Sequence, residues 1–470
     1  MNAYRLIALG LGLFLSARQA GGAATLPPGT NPLRPVVEME EEVYTYEPAN
    51  NGAGPMWCAG STCLVRIGKD VFAAGLETIK DAKPLNNCRW VLFRRGPAGW
   101  EKVRVDDTGR TREPSPLAGF YDGRLFLSAN PTLASGAESG GGPARPEILQ
   151  FAAPDPQAAF ERMLPVWNGT PRFSEHSYRS FAADAAQGEL ILFQNIDYTH
   201  AEWAFCDRDA KWSAQGQLKW PWGADYDTPQ PIRVCYPTVA LKDLAVYFCG
   251  VSDIVEPHAK WREFKKQLTG KDWDYDFRRL FFTWTRDITR EKFRDWIEIA
   301  SRDKTAGRLF PADLWAAPDG DVHLLWTERA IDERLRQKFF PEAKQSHALN
   351  YAVVRDGKVV SRRTLVQGGE GLSGEVPSAG RFQVTADNRL FVFYYLGGQD
   401  AAGKRVSENR VMELHPGGAA NESVPVPLKE PFTSFFTATV RAGSPPSNTL
   451  ELLGQRGGKP LAISYARIRL

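Results

Sequence analysis

Apolar residues in this chain fall in short runs that enter and leave tight turns, a β-hairpin pattern. An apolar run is followed by a turn with Asp, Gly, Asn or Lys, and then by a strongly apolar run. The pattern appears as CLVRIGKDVFAAGLE around Asp70, LAGFYDGRLFLSAN around Gly123, RSFAADAAQGELILFQ around Gly188 and YPTVALKDLAVYFCG around Asp243. It recurs as ADLWAAPDGDVHLLWTE around Gly320, FQVTADNRLFVFYYL around Asn388 and FFTATVRAGSPPSNTLELLGQ around Asn448, seven in all.

A second hairpin follows six of the seven, as in RWVLFRRGPAGWEKVRV and LNYAVVRDGKVVSRRTLV. Two hairpins make four antiparallel strands, which is one propeller blade. The pattern therefore predicts an all-β, seven-bladed β-propeller over residues 36–470; a six- or eight-bladed ring is the alternative. A two-sheet sandwich fits less well, because its strands would not group in fours. The last unit, ending LAISYARIRL, lacks a strand, and VVEMEEEVYTYEP near the start is left over. Ring closure resolves both: Val36 to Tyr46 is expected to supply the outer strand of the last blade and cover its edge.

Two segments break the pattern, each between the second and third strands of its blade. In blade four (about 254–278), Trp261, Phe264 and Leu268 fall at helical spacing. Blade five carries a charged insert at about 328–347.

The first residues read differently again. Arg5 precedes the apolar run Leu6–Leu15, too short to span a bilayer, and small residues follow at Gly21–Ala24. We expect a signal peptide over 1–24, a linker over 25–35, and a monomer in the periplasm or outside the cell, with no membrane segment. In such a compartment the six cysteines can form disulfides, and Cys235 with Cys249, on two sides of one hairpin, is the first expected pair. Cys58, Cys63 and Cys88 cluster around another blade.

Charge narrows the partners. The net charge is only +3, without a long basic run, which argues against nucleic acid. No zinc spacing, calcium loop, phosphate loop or nucleophile elbow occurs, so no metal or cofactor is expected.

In a propeller, the loops leading into the inner strands and those joining strands two and three share one face around the channel. Blade three is richest there. SEHSYRS supplies His176, Tyr178 and Arg179, and NIDYTHAEW supplies Asp197, Tyr198 and His200. His with Tyr nearby can do general acid–base chemistry near neutral pH, so His176, Tyr178, His200 and Tyr198 are the candidate catalytic residues. Arg179, Arg233, Arg308 and Arg381 stand at or near the starts of successive inner strands. Arg grips carboxylate or sulfate bidentately, so convergence of these four would make an anion-binding mouth. Arg329, Arg334 and Arg336 could join them. Asp197, Tyr236 and Trp261 complete the expected substrate contacts. Structural ion pairs for the arginines remain an equally open reading, whereas core packing explains most of the fourteen Trp better than substrate contact.

The hairpins, with VCYPTVALKD and RLFPADLWAAPDGDVHLLW at the inner strands, resemble the sialidase-like, BNR-type propeller superfamily. The Asp-box of that superfamily is absent from every blade. The branch with ulvan lyases and rhamnosyl-glucuronide hydrolases is similar in carrying His, Tyr and Arg for work on uronic-acid polysaccharides. The resemblance implies a polysaccharide lyase or glycoside hydrolase acting on an acidic, uronate or sulfated glycan. A propeller that only binds a glycan or protein is the alternative.

Overall fold

Alternation of apolar and polar positions builds sheets that must be covered on both faces, and a ring of blades covers each sheet with its neighbours. The computed structural model describes residues 33–58, 60–134, 141–176, 178–415 and 422–470. The expected signal peptide lies outside them. Among the described residues no helix is long and apolar enough to cross a membrane.

Seven four-stranded antiparallel sheets form the propeller. Their inner strands are Leu64–Ile67, Leu117–Gly119, Arg179–Asp184, Val234–Lys242, Arg308–Ala316, Gly374–Val384 and Phe432–Thr437. Blade seven takes its outer strand from Val36–Thr45, paired antiparallel with Lys459–Arg469 from Val36 opposite Arg469 to Thr45 opposite Ala462. The ring therefore closes on the strand the sequence left over.

The core lies between blades. Second strands carry large, fully buried side chains: Phe72, Phe126, Phe193, Phe248, Trp326 and Phe391. Each contributes roughly 2–3 kcal/mol by leaving water. Trp90 and Trp203 are buried in the same way.

The blade-four insert forms helix α1 (Ala259–Thr269), stopped by Gly270 in the left-handed region at φ 69°. The blade-five insert forms α2 (Glu333–Phe339), with the Asp332 side chain capping it by accepting from the Arg334 amide. The helices pack together: Trp261 lies edge-on to Phe340 and Phe264 to Phe339. Buried Lys265 reaches Glu256 at 2.7 Å, Asp274 at 3.0 Å and Asp332 at 3.5 Å, joining the two inserts to each other.

A buried ion pair crosses between blades. A single-turn 3-10 helix of blade seven, Val440–Ala442, carries the buried Arg441. Its guanidinium meets the buried Asp313 carboxylate at 2.9 Å and donates to the Gly60 carbonyl at 2.8 Å. Asp313 also accepts from the Phe382 amide at 2.9 Å, so one carboxylate ties blades five, six and seven together.

The cysteines correct one expectation. All six are free thiols, and Cys235 is not joined to Cys249. A register shift separates them: Cys235 stands opposite Val251, and Cys249 opposite Thr238.

Candidate functional site

The inner strands of blades four to seven each carry a bulge near their first residues: between Cys235 and Thr238, Pro311 and Asp313, Ser378 and Arg381, and Phe432 and Ser434. Pro237, Pro311, Pro377 and Pro431 sit at or beside these bulges. Proline cannot donate to the ladder, so it belongs at such breaks. A bulge re-aims the side chains around it. Tyr236 and Ala379 pay for theirs with positive φ, 50° each, an uncommon conformation outside glycine.

On this face a cavity of about 340 Å³ opens over blades five, six and seven. Its charged and titratable lining is Arg308, Arg329, Arg381, His347 and Glu328. Three of these form one row on blade five. Arg308 begins the inner strand and stands opposite Arg329, the last residue of the second strand. Arg329 in turn stands opposite His347 at the start of the third. Directly opposed residues project on the same face of a sheet, with Cβ atoms about 5 Å apart. Facing like charges are destabilising there.

Among the described residues neither Arg308 nor Arg329 is in an ion pair, and Arg329 Nε is buried without a partner. Arg308 lies over the rings of Phe277 and Phe310, at 5.2 and 5.7 Å. Partial removal from water, and then the facing Arg329, hold it below the usual arginine value. His347 is likewise held below the ordinary histidine range, first by burial and then by Arg329. It is therefore neutral at neutral pH. Burial lowers Arg381 to about 10; its Nη1 donates to the carbonyls of Ala312 and Gly380, at 2.7 and 2.8 Å. Glu328 is engaged: it forms an ion pair with Arg302 and accepts from Asn350.

The four expected arginines thus do not converge. Arg308 and Arg381 share the cavity. Arg179 lines a separate small void with Tyr178, Tyr236 and Glu113, and donates to the Pro114 carbonyl at 2.6 Å. Arg233 lines neither. It is neutralised by Asp253 at 2.9 Å and lies 3.9 Å from the Tyr198 ring centroid.

The blade-three residues have local partners. His176 Nδ1 is 2.7 Å from Glu113, and His200 Nε2 is 2.9 Å from Glu202. The Tyr178 and Tyr236 hydroxyls lie 3.1 Å apart, and burial pushes both well above the usual tyrosine range. Tyr198, whose hydroxyl meets that of Tyr275 at 2.8 Å, is pushed up to about 12 by burial and then by that hydrogen bond. Asp197 is exposed in its turn. Trp261 is held between His258, Phe340 and the Arg278 guanidinium, away from the cavity. Tyr236 lies between the two regions, its ring tilted against that of Phe310 at 5.1 Å.

No family model matches this chain, and no curated protein matches it. Among solved structures it is similar to a protein of unknown function from Dyadobacter fermentans: 10% identity, 93% of this chain and 99% of that one, TM-score 0.44. It is similar to the α-L-arabinanase of Penicillium chrysogenum complexed with arabinobiose: 10% identity, 93% and 99% coverage, TM-score 0.40. A variant of the Synechocystis apocarotenoid oxygenase is similar at 10% identity, 89% and 97% coverage, TM-score 0.42. Likeness at this level assigns no activity to the chain.

Proposed function

We propose that this is an exported, carbohydrate-active propeller whose top-face cavity takes the anionic group of an acidic glycan. The observation that carries the reading is the uncompensated pair Arg308–Arg329 beside neutral His347. A uronate carboxylate between the two guanidinium groups would relieve their repulsion and accept paired hydrogen bonds. The apolar segment Leu6–Leu15 supports export.

Of the reactions open to such a site, β-elimination suits these residues best. A glycosidase needs two carboxylates across the sugar. The cavity lining holds only Glu328, already paired with Arg302. Elimination needs a neutral base next to positive charge. His347 would take the proton from the carbon beside the carboxylate, with Arg308 and Arg329 stabilising the charge that develops on it. That electron pair would form the new C=C bond as the glycosidic C–O bond breaks, and the proton would pass to the leaving oxygen.

The test is incubation with glucuronan, polygalacturonate and alginate, following the absorbance of the unsaturated uronate product. Product from the native chain and none from His347→Ala supports the lyase. A second reading, a binder without turnover, is favoured by the absence of any tyrosine from the cavity lining, which leaves no separate acid. Calorimetric binding that is lost in Arg308→Ala, with no product from any uronate, would select it. No binding and no product would sink both.

A further inference from the structure

The sulfur atoms of Cys58 and Cys63 lie 3.3 Å apart. A tight turn brings them together, with the Ser61 amide donating to the Cys58 carbonyl at 2.9 Å. Cys63 is buried at the start of blade one, whereas Cys58 is half-buried and lines the small void that Arg179 also lines. Arg179 Nη1 is buried there without a partner. The other thiols are placed elsewhere. Cys88 is within reach of Asn51 and Asn87, and Cys235 of Asn195.

Gly60, Ser61 and Thr62, between the two thiols, contact three other blades. Gly60 seats under blade four so closely that a Cβ on it would come within 2.0 Å of the Pro237 carbonyl. Its own carbonyl accepts from Arg441. The Ser61 hydroxyl accepts from the Phe181 amide of blade three at 3.1 Å. Thr62 donates to the Thr437 carbonyl of blade seven at 2.8 Å. One short turn therefore joins blade one to three others.

We propose that Cys58 and Cys63 are a redox dithiol, oxidised by a small-molecule disulfide to an intramolecular disulfide that locks this turn and its contacts. Cys58, the more accessible sulfur, attacks as thiolate and expels one thiolate of the oxidant, forming a mixed disulfide. Cys63 then attacks the Cys58 sulfur and expels the second. Two protein thiols and one disulfide give one protein disulfide and two small thiols. Arg179 and the attacking Cys58 line the same void.

The experiment treats the folded full chain with oxidised glutathione, then alkylates, denatures and maps the peptides. Loss of two of the six thiols, with Cys58 linked to Cys63, is the expected result. Cys63→Ser should instead retain one glutathionyl group on Cys58, and Cys88→Ser should still form the link. Exchange of the Phe181 amide should slow several-fold on oxidation. Six alkylated thiols after treatment, a link between any other pair, or unchanged Phe181 exchange would overturn the proposal.

Discussion

Arg308 and Arg329 face each other across the first two strands of blade five, and among the described residues neither forms an ion pair with a carboxylate. Other arginines of the propeller have a carboxylate partner: Arg233 with Asp253, Arg389 with Glu413, Arg95 with Glu41. The lack of one here should be traceable in both stability and binding. Arg329→Glu would supply the missing partner and stabilise the hairpin by up to about 1 kcal/mol. The same change should abolish binding of a uronate oligosaccharide. Urea unfolding and calorimetric titration of one sample check both. Retained binding in Arg329→Glu would show that the anion does not sit there.

His347 predicts a pH profile. Burial first, and Arg329 second, hold its pKa below the ordinary 6.5. A neutral base works only above its pKa, so turnover should fall on the acid side at a pH lower than an ordinary histidine gives. Arg329→Gln removes one cause, so the His347 pKa should rise and the acid limb should move to higher pH. Titration of the His347 ring proton by NMR reads the same shift without substrate. A limb that does not move in that variant would detach His347 from Arg329.

How much of this was legible differs between fold and site, for a physical reason. A blade needs period-two alternation and tight turns, which local sequence carries, so the hairpins and the strand Val36–Thr45 could be read directly. The site depends on a register that one bulge decides. Counted outward from the turn, where Ala316 pairs with Val322, Arg308 would fall opposite Ala330; the shift at Pro311 brings Arg329 there instead. His347 was missed because it follows the α2 insert, where loop length hides which residue begins the third strand. The prolines near the inner-strand starts were the available signal. Blade three drew attention because His176 and His200 are conspicuous, yet each is held by a neighbouring glutamate.

His323 predicts acid sensitivity of the fold itself. It is buried, with Nδ1 2.6 Å from the Tyr351 hydroxyl, and burial lowers its pKa to about 4. The unfolded chain, near 6.5, binds the proton first. Stability is thus whole above about 6.5 and declines as pH falls toward about 4. Two to three pKa units correspond to roughly 3 kcal/mol. In His323→Gln, unfolding free energy should decline less across that window. Equal acid dependence in both proteins would place the loss on the carboxylates.

The closing strand predicts the fate of a truncated chain. Val36–Thr45 carries acidic residues that meet cations on both sides: Glu38 with Arg469, Glu40 with Arg456, and Glu42 with Lys459 in blade seven, and Glu41 with Arg95 in blade one. Tyr44 stacks on Phe93 at 4.9 Å, so the strand also packs against blade one. Deleting residues up to Thr45 would uncover Lys459–Arg469, whose buried Ile463, Tyr465 and Ile468 would then flank an open sheet edge. Such an edge pairs with another chain. The truncated protein should run as dimers and larger species by size-exclusion chromatography with light scattering, and should melt at lower temperature. A synthetic Val36–Tyr46 peptide added during refolding should restore the monomer, because the acceptor edge remains intact. A truncated chain that is monomeric and equally stable would mean that the ring holds through its inner strands and the Arg441–Asp313 tie, without the outer strand.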